Sequence, residues 1–218
     1  MARFLSVLVV IPPHPYPLPM SHKKSQWILA ETPEIPPDVD TSIPGILTKM
    51  MCQRGIKITE MKRFLQPRLQ DLQNPFLMPD MEPAVNRILA AIEKDEHVCV
   101  YGDYDVDGIT SVTLLTRVLR AYGASTRSFI PKRGPEGYGL NDAALKRCMA
   151  EGTKPDLLIT VDCGTASIEE IQALKDEGID VIVVDHHEPS PHGKPDCIAI
   201  VNPKCSADSS GAYDFIKR

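Results

Sequence analysis

The sequence lacks three features that would each indicate a particular class of protein. It has no apolar run approaching the eighteen or so residues that a membrane-spanning helix requires. None of its six cysteines is spaced as a C-x-x-C pair, which disfavours a disulfide framework. It has no excess of basic residues either, and its net charge of −5 argues against holding nucleic acid on a broad positive surface. A nucleic-acid substrate would have to be held locally or through metal ions.

What remains is the composition of a soluble globular protein. The 218 residues are 43% hydrophobic and 24% charged, and the length suffices for one ordinary domain and an accessory segment. The cysteine usage suits a reducing compartment, so we expect a cytoplasmic protein with no membrane partner. Cys99 and Cys163 lie on or just after apolar runs, where a small buried thiol is expected.

Prolines divide the chain unequally, with 13 of the 20 in residues 1–83. Residues 1–19 combine a short apolar stretch with a proline-rich run that can form neither helix nor central strand. We expect this stretch to be a disordered tail or the product of a misplaced start codon. Residues 20–83 predict a mostly helical accessory segment, and residues 84–218 predict the main domain.

The main domain alternates short apolar strands with helices of about ten residues, a pattern typical of βαβ units. Strands that are apolar on both faces, such as 157–161, indicate a sheet covered by helices on both sides. The sequence therefore predicts an α/β fold with a doubly wound, mainly parallel sheet. The predicted strands are 97–101, 126–130, 157–161 and 181–184, with a further candidate at 198–201; the predicted helices are 43–53, 59–65, 109–122, 142–149, 167–177 and one that begins at Pro83.

Three predicted strands end in acidic residues, and the carboxyl ends of parallel strands share the edge where ligands bind. A single acid after a strand is the N-cap of the following helix about as often as it is a ligand. Several acids and two histidines on one edge would repel one another unless cations bind there. Oxygen and imidazole ligands without thiolate favour Mn²⁺ or Mg²⁺, and a pair of such ions is a common device for phosphoester hydrolysis. The residues concerned are Asp103, Asp105, Asp107, Asp162, Asp185, His186 and His187.

The pattern Asp-x-Asp-x-Asp-Gly also opens an EF-hand calcium loop. Counted from Asp103, the glutamate required at position 12 falls on Leu114, and a strand rather than a helix precedes the motif. The calcium-loop interpretation therefore fails.

Three segments together resemble the motifs of the DHH phosphoesterase superfamily and, within it, those of the RecJ-type single-stranded-DNA-specific exonucleases. They are GDYDVDGIT at 102–110, ITVDCG at 159–164 and VDHHE at 184–188. Further similar segments include EGYGL at 136–140 and VNP at 201–203, so the resemblance covers roughly residues 25–205. Asp-His-His alone would be a weak signal, whereas these segments in this order are specific.

The resemblance implies roles for individual residues. The implied metal ligands are Asp103, Asp105, Asp107, Asp162 and His186; the implied catalytic residues are His187 and Asp185; and the implied substrate-binding residues are Lys132, Arg133, Tyr138 and Asn141. Alternatives remain open for several of them. Asp103 either assists a metal or orients a ligand, Asp185 either bridges metals or supports an imidazole, and His187 either faces the phosphate or bonds a carboxylate. The loop with Arg133 could also be a solvated turn.

The resemblance also implies an activity: 5′→3′ exonuclease on single-stranded DNA, in DNA repair and recombination. Such enzymes continue with a fourth motif, a DHHA1 domain and an OB-fold portion. No segment up to residue 218 resembles these parts, so we expect a truncated form with reduced or no activity. One alternative is a DHH hydrolase of small phosphoesters such as oligoribonucleotides or cyclic dinucleotides, although those relatives begin their first motif differently. Another is a non-catalytic DHH scaffold or relic.

Overall fold

The computed structural model describes residues 28, 31, 35 and 42–205 and divides the chain into two compact units, 1–72 and 73–218. The expectation for residues 1–19 lies outside the described residues. In the described ranges, no helix combines the length and apolar character needed to cross a membrane.

In the first unit, residues 42–72 form two short helices, α1 (Gly45–Gln53) and α2 (Ile58–Leu65), followed by a 3-10 turn at Leu69–Asp71. Gly55 turns the chain between the helices with a positive φ of 72°, which glycine adopts without steric cost. The unit has a small core of its own, made by Met51, Ile56 and Met61 with Ile43, Cys52 and Ile58 packed against it. The predicted helices are confirmed here to within two residues.

The second unit is built on a five-stranded sheet in which every neighbouring pair is parallel, in the order β2-β1-β3-β4-β5. The strands are β1 (His97–Gly102), β2 (Ser125–Phe129), β3 (Leu157–Val161), β4 (Asp180–Val184) and β5 (Ala199–Val201). The helices are α3 (Met81–Glu93), α4 (Val106–Ala121), α5 (Asp142–Ala150) and α6 (Ile168–Asp176), with 3-10 turns at Pro75–Leu77 and Pro203–Cys205.

Helices cover both faces of this sheet, as predicted. Alternate residues of a strand point to opposite faces, so β1 contributes Val98 and Val100 to one core cluster and Cys99 and Tyr101 to the other. The first cluster is closed by α3 and α4, and the second by α5 and α6. All residues of β3 are buried, and each large aliphatic side chain so buried contributes roughly 1.5–3 kcal/mol. The core is therefore a doubly wound α/β sandwich.

The order of the strands fixes where a ligand site can form. From β1 the chain passes through α4 to β2 on one side, and then through α5 to β3 on the other side of β1. The strand order thus reverses between β1 and β3, and open α/β sheets bind ligands at the carboxyl ends of the strands at such a point.

Helix α4 shows the largest shift from a predicted start, three residues, and the starts of α1 and α3 each shift by two. Helix α4 begins at Val106 instead of residue 109, because the Asp105 carboxylate accepts hydrogen bonds from the backbone nitrogens of Asp107 and Gly108 at 2.9 and 3.0 Å. Pro83 is the third rather than the first residue of α3. It still lies in the first turn, where a missing N–H costs no hydrogen bond within the helix. Cys99 and Cys163 are buried as expected, and all six cysteines are free thiols.

Candidate metal centre

The first acid of the site, Asp103, directly follows β1 and is fully buried. Its Oδ1 accepts a hydrogen bond from the Tyr104 backbone nitrogen at 2.6 Å, whereas its Oδ2 is buried without a hydrogen-bond partner. The start of α4 presses against this residue: a Cβ added to Gly108 would lie 2.3 Å from the Asp103 carbonyl oxygen. Only glycine permits this approach. The motif therefore holds a buried carboxylate at the tip of β1, and one of its oxygens accepts no hydrogen bond.

Asp105 and Asp107 are exposed at the amino end of α4. Hydrogen bonding from the Gly108 backbone nitrogen, together with that from Asp107, lowers the pKa of Asp105. Its carboxyl group also lies close enough to that of Asp162 to raise the pKa of Asp162. The tips of β1 and β3 therefore bring two acids together. Asp107 follows two residues after Asp105, in the first turn of α4.

Asp162 directly follows β3 and has a positive φ of 60°, a conformation that aspartate tolerates better than most residues. Its Oδ1 lies 2.9 Å from His186 Nε2, and its Oδ2 is buried without a hydrogen-bond partner. Burial, followed by the negative charge of Asp105, raises the pKa of Asp162. When Asp162 is ionised, its negative charge is therefore only partly offset by other groups of the chain.

Asp185, at the end of β4, has a different role. Its Oδ1 accepts hydrogen bonds from His187 Nδ1 at 2.7 Å and from the backbone nitrogens of His186 and His187, while its Oδ2 accepts one from the Thr165 backbone nitrogen. Burial alone would raise the pKa of Asp185, but the hydrogen bonds from Thr165 and His187 outweigh it and lower the pKa. Asp185 thus supports the neighbouring imidazole, and His187 bonds this carboxylate through Nδ1.

Donor atoms of Asp162, His186 and His187 all lie within 4.8 Å of one another, close enough to share one ion. Among the ion pairs of residues 42–205, none joins a lysine or arginine to the acids at this edge. Two buried carboxylate oxygens, on Asp103 and Asp162, have no partner, and burying such a group unpaired is costly. Carboxylate oxygens and imidazole nitrogens are suitable ligands for Mn²⁺ or Mg²⁺. The residues present therefore fit a divalent cation.

The predicted substrate loop lies beside these acids. The Tyr138 hydroxyl is 3.4 Å from His187 Nε2, and burial followed by the charge of Asp103 raises the pKa of Tyr138, so the phenol stays protonated. The Tyr104 ring meets the Tyr138 ring edge to face at 5.8 Å. The exposed Arg133 guanidinium lies 5.6 Å from the centre of the Tyr104 ring. Arg133 and Tyr138 therefore both reach the rim of the site.

Lys132 and Asn141 make different contacts from Arg133 and Tyr138. The Lys132 side chain is exposed, and its backbone nitrogen donates to Glu136 at 2.6 Å. Asn141 caps α5 by accepting a hydrogen bond from the Ala144 backbone nitrogen at 3.1 Å, as its N-cap pattern predicts, and its Nδ2 donates to the Gly139 carbonyl at 3.2 Å. The polar atoms of Asn141 are therefore used within the loop, which favours a structural role over substrate binding.

Sequence reasoning missed three residues that shape the site. Asn202 is fully buried, and its Nδ2 donates to Thr165 Oγ1 and to the His187 carbonyl, at 2.9 Å each. Thr165 in turn donates its backbone N–H to Asp185, and Tyr104 contacts both Arg133 and Tyr138. The VNP segment at 201–203 marked the position of Asn202, but nothing local indicated that its side chain would reach His187.

Comparison with protein families gives one match over most of the second unit. The model described as "DHH family, N-terminal domain" matches residues 97–216, slightly more than half of the chain. The match includes all of the acidic and histidine residues described above.

Curated proteins similar to this chain include several RecJ exonucleases. The chain is 40% identical over 163 residues to the single-stranded-DNA-specific exonuclease RecJ of Bacillus subtilis, which covers 74% of this chain and 20% of that protein. It is 32% identical over 168 residues to RecJ of Escherichia coli, covering 76% of this chain and 28% of that protein. The chain thus spans between a fifth and three tenths of the length of these relatives.

Solved structures similar to this chain include two of RecJ. A crystal structure of exonuclease RecJ bound to manganese matches with a TM-score of 0.57 and 32% identity, over 65% of this chain and 35% of that one. RecJ from Thermus thermophilus in complex with Mn²⁺ matches with a TM-score of 0.54 and 30% identity, over 73% of this chain and 21% of that one. The parallel α/β fold of the second unit is therefore shared with RecJ.

Proposed function

We propose, because the chain belongs to the DHH family, that it is the metal-binding part of a RecJ-like phosphodiesterase that removes nucleotides from the 5′ end of single-stranded DNA. The observation that carries this proposal is the pair of buried, unpartnered carboxylate oxygens of Asp103 and Asp162 at adjacent strand tips. Exonucleases of the same name, matched at 32–40% identity, support the choice of substrate.

We assign the cation site to carboxylates and one imidazole at the tips of β1, β3 and β4. The proposed ligands are Asp103, Asp105, Asp107, Asp162 and His186, for Mn²⁺ or Mg²⁺ and, in a complete site, for two ions. When bound, divalent cations supply Lewis acidity, which lowers the pKa of water and neutralises charge on the reacting phosphate. The neighbouring carboxyl groups of Asp105 and Asp162 mark a place where a cation would offset their negative charge.

The other residues would hold and orient the substrate. Asp185 fixes the tautomer of His187 by accepting from Nδ1, which leaves Nε2 facing the rim as a proton acceptor beside the proposed position of the scissile phosphate. Arg133 offers a planar guanidinium that can fork onto a backbone phosphate, and Tyr138 offers an exposed ring on which a base can stack. Lys132 adds positive charge to an otherwise acidic rim. The site would thus grip a strand locally, as the absence of a basic surface requires.

This chain corresponds to only a small part of its RecJ relatives, and this affects the activity that we expect from it. Because the 218 residues correspond to 20–28% of the two RecJ proteins compared above, we propose that this span alone is weakly active or inactive as a nuclease. Metal binding should survive in the span, since the strand tips that form the site all lie within residues 97–187. Metal uptake is therefore the more direct readout of the site, and cleavage the readout of the whole function.

The experiment that tests this function follows Mn²⁺-dependent release of 5′-mononucleotides from a 5′-phosphorylated single strand, beside a duplex and a dinucleotide. Asp162→Asn should lower the rate by about 100-fold or more, because it removes a ligand and even supporting residues cost 10–100-fold. The matched control is Asp156→Asn, which changes an aspartate just before the amino end of β3 whose side chain bonds the His97 nitrogen.

Each outcome of this experiment bears on the proposal. Loss of cleavage in Asp162→Asn, with the control unchanged, supports it. Preferred cleavage of the dinucleotide would replace single-stranded DNA with a small phosphoester as substrate. If the wild-type chain cleaves nothing, calorimetric titration with Mn²⁺ decides: uptake that is lost in Asp162→Asn keeps the metal site, and no uptake supports a non-catalytic scaffold or relic.

A further inference from the structure

The two residues proposed to grip the strand, Arg133 and Tyr138, lie on one loop between β2 and α5. The loop contains Gly134, Gly137 and Gly139, all with positive φ. Such a sequence loses much conformational entropy when it is ordered, so a defined position for Arg133 needs a contact that holds the loop.

That contact is made by Arg147, which lies in the last turn of α5. Its Nε and one terminal nitrogen donate to the two carboxylate oxygens of Glu136 at 2.5 and 2.9 Å. The same terminal nitrogen donates to the Ile130 carbonyl at 2.9 Å, and the other donates to Glu151 at 2.8 Å. The guanidinium also lies over the Phe129 ring, 4.2 Å from its centre. Every nitrogen of Arg147 is therefore engaged.

Glu136 closes the arrangement across the loop. Its Oε2 accepts a hydrogen bond from the Lys132 backbone nitrogen at 2.6 Å, directly before Arg133. Arg147 thus holds the start of the loop through Ile130 and, through Glu136, both the segment before Arg133 and the segment before Tyr138. The Glu136 and Arg147 side chains are only 11% and 23% exposed, so water competes weakly for this two-point contact.

We infer that Arg147 is a positioning residue for substrate binding, which places Arg133 and Tyr138 at the rim of the metal centre through its clamp on Glu136. This inference rests on the proposed function, because it takes Arg133 and Tyr138 as the groups that contact the strand. Arg147 itself lies behind the loop and touches neither the acids of the site nor the exposed face of Tyr138.

The test compares Arg147→Met with Arg120→Met. The control is matched, because Arg120 also sits on a helix beside β2 and donates two hydrogen bonds to a backbone carbonyl, that of Thr126, at 3.1 and 3.0 Å. Both variants lose one positive charge and one guanidinium–carbonyl contact, but only Arg147→Met releases the loop. Arg147→Lys keeps the charge and loses the two-point contact, so it should behave like Arg147→Met.

The first readout is independent of DNA. Lys132 and Arg133 are trypsin sites within the loop, and we expect cleavage after them to be about tenfold faster in Arg147→Met than in the wild type or Arg120→Met, because cleavage follows local opening. Unchanged cleavage would overturn the clamp, whatever the protein binds. Mn²⁺ uptake measured by calorimetry should stay within about twofold of the wild type in both variants.

The second readout is the affinity for a 5′-phosphorylated oligothymidylate, measured by anisotropy with Ca²⁺ in place of Mn²⁺. We expect Arg147→Met to weaken binding on the order of tenfold, since small misplacements of a binding group can cost up to 10²-fold. In an Arg133→Ala, Tyr138→Ala background the same change should cost less than about twofold, as expected for residues that act as a unit.

Faster trypsin cleavage with unchanged affinity would overturn the positioning role, and so would a full additional loss in the double-alanine background. Failure of the wild-type chain to bind the oligonucleotide would count against the proposed function, and the trypsin comparison would then decide the clamp by itself. The two failures are thus distinguishable.

Discussion

Acidic residues stand at both ends of the strands in the second unit, yet the two ends differ in how their charge is balanced. At the amino end, Arg87 of α3 pairs with Glu96 and Asp180 at 2.6 Å each, and Asp156 accepts the His97 backbone N–H. At the carboxyl end, Asp103 and Asp162 each keep a buried oxygen without a hydrogen-bond partner, and among the described residues no lysine or arginine lies within ion-pair distance of either. The Glu96 oxygen that also lacks a well-aligned hydrogen bond lies 2.6 Å from Arg87.

The difference shows what distinguishes a structural acid from an acid that needs an external cation. At the amino end the chain supplies its own positive charge, so those carboxylates serve the packing of α3 on the sheet. Among the described residues, the only basic partners within ion-pair distance of Asp162 and Asp185 are His186 and His187, and histidine is itself a metal ligand in many proteins. Charge balance, more than the number of acids, identifies the edge that we propose binds metal.

The largest change in stability is expected from removing the internal cation. Arg87→Met leaves Glu96 and Asp180 facing each other, partly buried, without a positive partner. We expect the free energy of unfolding to fall by about 2–3 kcal/mol, somewhat less than for breaking a fully buried pair, because Asp180 is 44% exposed. Urea denaturation measures this, with Arg117→Met, an exposed arginine of α4, as the control. Equal midpoints for the two variants would break the comparison.

An opposite effect is expected from neutralising an acid at the carboxyl end. Asp162→Asn, measured with EDTA present, should raise the free energy of unfolding by about 1 kcal/mol, because it removes repulsion with Asp105 and a buried carboxylate oxygen. Asparagine suits the positive φ at this position, so backbone strain does not obscure the result. Asp180→Asn at the other end should lower stability instead. Destabilisation by both changes would contradict the comparison.

The smallest change in stability is expected from Glu136, an acid on the loop after β2 whose charge is paired with Arg147. The hydrogen bond from Arg147, then that from the Lys132 nitrogen, lowers the pKa of Glu136 from 4.5 to about 2. The stabilisation by ionised Glu136 is therefore complete above pH 4.5 and is lost as the pH falls towards 2. The difference in urea midpoint between the wild type and Glu136→Gln should shrink over this range. A difference independent of pH would show that the charge does not contribute.

Much of the fold and part of the site could be predicted from the sequence. Strand β3 was predicted to the residue, because residues 157–161 form an almost unbroken apolar run between Asp156 and Asp162. The convergence of Asp105, Asp162 and His186 followed from strand ends that share one edge, and their contacts in the structure agree with it.

The remainder depends on contacts that no local pattern encodes. Arg87 reaches Asp180 across 93 positions, and Asn202 reaches the His187 carbonyl across 15. Asp105 could be recognised as a ligand or as a cap, but the capping hydrogen bonds that begin α4 three residues early became apparent only from the backbone geometry. Likewise, Asn141 was recognised as a cap, but the hydrogen bond that uses its remaining amide became apparent only in the folded loop.

The central claim is that the acids at the carboxyl end lack an internal cation and take up an external one. Thermal unfolding with and without Mn²⁺ tests it most directly, since a ligand at 100 times its Kd adds about 2.7 kcal/mol to the free energy of unfolding. For a chain of this size the melting temperature should rise by roughly 5–10 °C in the wild type and in Asp180→Asn. Asp162→Asn should show little or no rise. An equal rise in Asp162→Asn and the wild type, or none in the wild type, would contradict the account.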